Sequence, residues 1–307
     1  MKRALNVVLL VCVSVVFWAC EKSPFSAGAI TDRYDTIRTP FHTVEFRDNV
    51  NVNMKLKDAD HPRGLIHIKT GENLIDDIFA EIDTTNGVRL VIGNNNTNNF
   101  LRPYDTPLEV DVYYDSIYKI IFNSNGIVDT DTIKGIVHWV QDTVSNDSIK
   151  KYQIQIEVDG GSGELHMQLD GGNESVLKTN YLIGTADLYA KGSIGYAETR
   201  TNYSCHGLVD YRYLEIHSHR IDHFGTNRVF TKVFSTINAH NYNNGEIYYL
   251  KYKKQVHEYI PPGEDEQWGH YGDVWHYCPE ALYYNDQTLN SWKYNNNIPG
   301  LVKDTIN

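Results

Sequence analysis

The chain of 307 residues is long enough for one large all-β domain or two ordinary ones. Its 28 basic and 39 acidic residues give a formal charge of −11, the wrong sign for a surface that grips nucleic acid or anionic lipid. Hydrophobic residues make up 41%, with 22 Tyr and 10 Phe to supply buried area, and 22 Gly beside many Asn fit a fold rich in corners, since both residues tolerate positive φ.

Residues 1–19 read as a targeting segment. Lys2 and Arg3 form a basic start and Leu5 to Phe17 an apolar run too short to span a bilayer comfortably. The segment ends Phe17-Trp18-Ala19-Cys20, where a small residue before Cys resembles a bacterial lipobox, although Trp18 is bulkier than the usual occupant. The resemblance implies that Cys20 is acylated and becomes the mature N-terminus. More than one acyl chain makes a stable anchor, where a single chain is marginal. Loss of Lys2 and Arg3 then shifts the charge from −11 to −13. Residues 20–40 lack any apolar period and read as a flexible tether. Cys12 leaves with the leader, so Cys205 and Cys278 remain in an oxidising compartment. They fit one disulfide or two buried thiols.

Residues 41–254 read as one domain of short alternating strands. Val44 and Phe46, then Val50, Val52, Met54 and Leu56, alternate with polar residues, and Leu65-Ile66-His67-Ile68 follows a turn at His61-Pro62. Asn73 to Ile82 alone has helical spacing, with Asn73 as a cap, and reads as one short helix or two extended pieces. Asn86-Gly87 predicts a hairpin into Val88–Ile92. Strands follow at Leu108–Tyr114, Ile117–Ile121 and Gly135–Val140, with a turn at Asn123–Gly126 and a polar insertion at 142–151.

From Tyr152 to Tyr252 the pattern tightens into a ladder. Leu165, Leu188, Leu208, Val229 and Ile247 each open an alternating run. Corners fall at Asp159–Gly163 and Asp170–Asn173. A period near 20 residues, without helices between, predicts a solenoid in which each turn lays its strands in parallel on the one before. The alternative is an antiparallel β-sandwich.

The chain resembles a known envelope family from about Phe41 to Leu250. The residues that carry the likeness begin with Phe41, Val44, Phe46, Val50, Val52 and Met54, then Leu65–Ile68, Asn73–Ile75 and Gly87–Ile92. Leu108–Val112, Ile120, Gly126-Ile127, the Asp159–Leu169 corner and strand, and Asn244–Tyr249 complete it. That family is the putative auto-transporter adhesin, head GIN domain. The resemblance implies a right-handed parallel β-helix, lipid-anchored in a Gram-negative envelope, with no established activity. Taken with the residues, the chain reads as an outer-membrane lipoprotein that works by binding a glycan or an envelope or host protein. No catalysis and no cofactor are expected. A periplasmic assembly scaffold and a carbohydrate-active hydrolase are the other readings. Against the hydrolase, the corner acids Asp159, Glu164 and Asp170 form no pair of diagnostic spacing.

Three further sets of residues carry chemistry. Asp-Ser/Thr-aliphatic tripeptides place Thr36, Ser116, Thr132, Thr143, Ser148 and Thr305 in a pattern that resembles an O-glycosylation signal of exported proteins. The same dipeptides also suit ordinary turns. His217 and His219, two apart in a strand, would share a face and form a weak metal site at best, since zinc or copper needs three or four ligands. Residues 255–307 form an aromatic-rich appendage. Trp268, Tyr271, Trp275, Tyr277 and Trp292 there either cap the last layer or present a binding surface.

Overall fold

The computed structural model describes residues 27–95, 108–141, 148–251, 257–259, 273–277 and 301–303. Cys20, Thr143, Thr305, Cys278, Trp268, Tyr271 and Trp292 lie outside them. Among the described residues the fold is all-β, an open, curled sheet of mixed strands with a single 3₁₀ turn.

Ten short strands come first: β1 (Ile30–Thr36), β2 (Thr43–Asp48), β3 (Asn51–Leu56), β4 (Leu65–Gly71), β5 (Ile78–Asp83), β6 (Arg89–Asn94), β7 (Glu109–Tyr114), β8 (Lys119–Ser124), β9 (Ile127–Ile133) and β10 (Ile136–Gln141). Their pairing is mixed. β1 with β4, β4 with β7, and β5 with β6 run antiparallel, whereas β2 with β8 and β3 with β7 and β9 run parallel. The Asn86-Gly87 hairpin forms between β5 and β6, with Gly87 at φ 100. The helical spacing at Asn73–Ile82 gives only the 3₁₀ turn Ile75–Asp77. Its N-cap is Leu74, which makes no side-chain cap bond, and the chain extends again at Ile78. Without a cap, three residues cannot nucleate a helix against a waiting partner strand.

The strands then lengthen: β11 (Ser148–Asp159), β12 (Glu164–Gly184), β13 (Asp187–Cys205), β14 (Val209–His223), β15 (Arg228–Asn241) and β16 (Glu246–Lys251), followed by β17 (His257–Tyr259), β18 (Asp273–Tyr277) and β19 (Leu301–Lys303). From β11 to β16, and from β16 to β18, each pairs in parallel with the one before. An antiparallel β-sandwich does not describe such a sheet. The Asp159–Gly163 corner separates β11 from β12. The one at Asp170–Asn173 instead falls inside β12, where the register shifts between Asp170 and Gly172 and again before Val176. An irregularity of this kind bends a strand without ending it.

The core is built from register rows. Ile68, Val110, Val52, Val128, Leu165, Leu188, Val209, Val229 and Ile247 are successive partners across the sheet. None is more than 1% exposed. Each such side chain contributes about 1.5–3 kcal/mol on burial. The row corrects the ladder at one rung: Val209, not Leu208, occupies the core, and Leu208 is only half-buried. Adjacent strand residues face opposite sides, so a shift of one residue exchanges the faces.

Gly192 marks a place where layers touch. It has φ +110, and a Cβ there would lie 1.8 Å from the Leu169 carbonyl oxygen of the layer below. Gly172 also has a positive φ (+58) but open space around it. Gly172→Ala is therefore expected to cost only the left-handed backbone penalty, about 1–2 kcal/mol. Gly192→Ala adds the clash and should cost clearly more. Urea unfolding of both variants measures the difference; equal costs would mean that the close approach is not real.

Candidate binding surface

The residue beside each core rung faces outward, and these residues form a second row. It runs Tyr34, His67, Asp111, Asn53, Asp129, His166, Tyr189, Asp210, Phe230 and Tyr248. They come one each from β1, β4, β7, β3, β9, β12, β13, β14, β15 and β16. At about 4.8 Å between strands, its nine steps cover roughly 43 Å of sheet. No sequence motif marks this row, because its members are separated by whole strands.

Several neighbours within the row touch. At the β1 end the Tyr34 ring stacks on His67 at 4.5 Å and 7°. His67 Nε2 lies 2.6 Å from Asp32 Oδ1, and its Nδ1 3.5 Å from Asp111 Oδ2. Asp111 also accepts from Asn53 at 2.8 Å and pairs with Lys55 at 2.8 Å. Burial disfavours the charged form of Asp111, but the bonds from Lys55 and Asn53 and the Lys55 charge outweigh it and hold this carboxyl below its ordinary value. Further along, His166 Nδ1 meets Asp129 at 2.9 Å and Nε2 meets Glu164 at 2.9 Å. The edge of His166 abuts Tyr189 at 5.1 Å. Asp210 is clamped by Arg212, whose guanidinium lies 5.0 Å over the Phe230 ring, and Phe230 stacks on Tyr248 at 4.6 Å and 8°. Burial changes along the row: Tyr34 is 65% exposed, whereas His166, Tyr189, Asp210, Phe230 and Tyr248 are all buried.

Beside Tyr189 the surface opens into a cavity of about 300 Å³. It is lined by Asp187, Tyr189, His206, Leu208, Thr226, Asn227 and Arg228. Asp187 Oδ1 accepts from the Leu208 N–H at 2.7 Å and its Oδ2 from the Tyr189 hydroxyl at 3.3 Å. Burial, with the charges of Glu164 and Asp210 nearby, raises the Asp187 pKa despite those bonds. His206 Nδ1 lies 2.7 Å from the Thr226 hydroxyl. The arrangement offers fixed acceptors, donors and ring surface, which is recognition chemistry.

The predicted site residues fall elsewhere. His217 and His219 do not share a face: His217 is exposed, and His219 is 1% exposed. The register shift between Ile216 and Ser218 puts them on opposite sides. His217 lines a cavity of about 240 Å³ with Glu215, Asn173 and Phe234. His219 sits inside between the hydroxyls of Thr199 (2.9 Å) and Thr231 (2.8 Å). Among the described residues no three His, Cys, Asp or Glu are placed to hold a metal. Cys205 is a buried thiol donating to the Tyr181 carbonyl at 2.9 Å, and burial raises its pKa to about 11. Thr36 is exposed at the end of β1, Ser116 and Thr132 are half-buried, and Ser148 opens β11. In the appendage, Trp275 and Tyr277 belong to β18, in register with Tyr248 and Leu250, so that part of it extends the parallel stack.

Residues 40–251 match the family model described as putative auto-transporter adhesin, head GIN domain. Among solved structures, the chain is similar to a putative adhesin from Bacteroides fragilis NCTC 9343, at 13% identity and a TM-score of 0.58, over 76% of this chain and 94% of that one. It also aligns with a putative adhesin from Parabacteroides distasonis ATCC 8503, at 13% identity and a TM-score of 0.43, over 76% and 95%. A third is a putative lipid binding protein from the same organism, at 13% identity and a TM-score of 0.44, over 80% and 96%. Likeness at such identity speaks to fold alone. No curated protein matches the sequence.

Proposed function

The chain belongs to the family of the putative auto-transporter adhesin, head GIN domain, and we propose that it is an adhesin-like binding protein of the cell envelope, held to the outer membrane by lipid on Cys20. The reading rests on the solvent-accessible end of the outward row, from the exposed Tyr34 through the half-buried His67, Asp111, Asn53 and Asp129. There a ring, an imidazole, carboxylates and an amide stand one per strand. A ligand that engages it is extended and repetitive, with a rise per unit near the strand spacing, and a linear glycan has that character. Rings supply stacking area and the polar members supply hydrogen bonds. In this reading the parallel strands coil as a right-handed β-helix, which keeps the row straight and solvent-facing at its β1 end.

In this reading the acyl chains on Cys20 supply the membrane attachment; no helix of the described residues is long and apolar enough to cross a bilayer. Protease treatment of intact cells should remove the domain, and Cys20→Ser should release the protein from the membrane fraction. A glycan array probed with the whole protein should give signals that fall about tenfold in Tyr34→Ala and His67→Ala, the loss expected for one stacked ring or one charge-assisted bond. A domain that survives shaving would favour the periplasmic scaffold. An array signal indifferent to both substitutions would remove the row as the binding surface.

A further inference from the structure

We propose that the cavity beside Tyr189 binds the ammonium-bearing ring of an amino sugar. This deepens the glycan reading of the row and rests on it, but it concerns a separate subsite with its own test.

The Asp187 carboxylate points to the ammonium. It is half-buried and bonded to one backbone N–H and one phenol, and among the described residues it forms no ion pair with a lysine or arginine. Glu164 is its register partner on β12, and Asp210 adds a second negative charge close by. Each of the other acids already has a cationic or imidazole partner: Glu164 contacts His166, Asp210 holds Arg212 and Glu246 faces Arg228 at 3.5 Å. A half-buried carboxylate without a lysine or arginine partner gains most from a ligand cation.

Asn227 gives independent support. It lines the same cavity and is 3% exposed, yet among the described residues neither its Oδ1 nor its Nδ2 has a hydrogen-bond partner. A buried amide left unsatisfied costs about 1–3 kcal/mol, so such groups normally have a partner to meet. An amide that both donates and accepts suits a ring hydroxyl. His206 and Thr226 present further hydroxyl-binding groups, while Leu208 offers an apolar patch for a ring face. The volume of about 300 Å³ stands at the lower end for small-ligand pockets and fits one ring.

Titration calorimetry of the full chain near neutral pH, with glucosamine, glucose, N-acetylglucosamine and L-lysine as separate probes, tests this. Glucosamine should bind at least about tenfold more tightly than the other three, because only it offers the charge and the ring together. Asp187→Asn keeps the shape and should weaken glucosamine about tenfold or more, and His206→Ala, at an exposed position, by a few-fold. Equal binding of glucose and glucosamine, equal binding of lysine, or an unchanged Asp187→Asn variant would each overturn the proposal. The array signal at the β1 end should persist in Asp187→Asn. A blank array with intact glucosamine binding would sink the row and leave the cavity standing, and the reverse pattern would do the opposite.

Discussion

The protein is expected to lose stability steeply as pH falls from about 6.5 toward 4, before most of its carboxylates protonate. The cause is a pair of histidines in the interior. His219 lies among Thr199, Thr231 and the ring of Tyr211, and His223 is held by the Thr201 hydroxyl at 2.5 Å and by the Asn227 carbonyl at 3.0 Å. All these neighbours are neutral. Burial alone lowers the His219 pKa to about 3; burial, partly opposed by the Asn227 bond, lowers that of His223 to about 4. Both are therefore neutral in the folded protein at pH 6, while the unfolded chain takes up protons from about 6.5 downward. More protons bound in the unfolded state means that stability falls as pH falls, and the loss continues until the folded-state pKa values are reached.

Each histidine contributes a slope of about 1.4 kcal/mol per pH unit, so the pair withdraws nearly 3 kcal/mol per unit over that window. Against a typical total of about 5–15 kcal/mol, one or two pH units decide whether the domain stays folded. The quantity to measure is the slope of unfolding free energy against pH, from urea titrations between neutrality and pH 5. His219→Gln and His223→Gln retain hydrogen-bonding capacity and should each remove about half of that slope, whatever they do to absolute stability. A slope unchanged in both variants would place the acid sensitivity elsewhere.

The same histidines show where sequence reading runs out. The strand alternation, the Asn86-Gly87 hairpin, the corner at Asp159–Gly163 and the period near 20 residues are all local signals, and the structure contains each of them. His219 was legible only as a polar residue two positions from His217. Its burial depends on the register shift at Ile216–Ser218, and a one-residue irregularity leaves no trace in composition. The interior itself changes character along the stack. Phe122 and Val158 give way to Tyr181, Thr201, His223 and Asn241 in successive layers of one row. Polar residues therefore stop reporting the outside just where the ladder is clearest. The outward row is different, for its signal is present but needs alignment. Asp129, His166, Tyr189, Asp210, Phe230 and Tyr248 each follow the core residue of their strand by one position. Stacking the repeats on Leu208 instead of Val209 hides that coincidence, since it sets Val209 where Asp210 belongs.

That rung also yields the sharpest mutational contrast. Val209→Asn should destabilise the domain by about 4 kcal/mol, combining about 1.5–3 for the lost apolar burial with about 1–3 for an amide that has no partner in an aliphatic row. Val209 is 0% exposed and lies between Leu188 and Val229. Leu208→Asn, one residue away, should cost no more than about 1 kcal/mol. The Leu208 backbone is already engaged, its N–H with Asp187 and its carbonyl with the Leu188 N–H, and substitution leaves both bonds intact. Its side chain lines the outer cavity, where an amide stays solvated. Urea unfolding followed by far-ultraviolet circular dichroism measures both. Comparable losses, or a larger one at 208, would mean that the parallel register of β13 on β14 is wrong by one residue. Every row built on it, the aliphatic core and the outward surface alike, would then exchange sides.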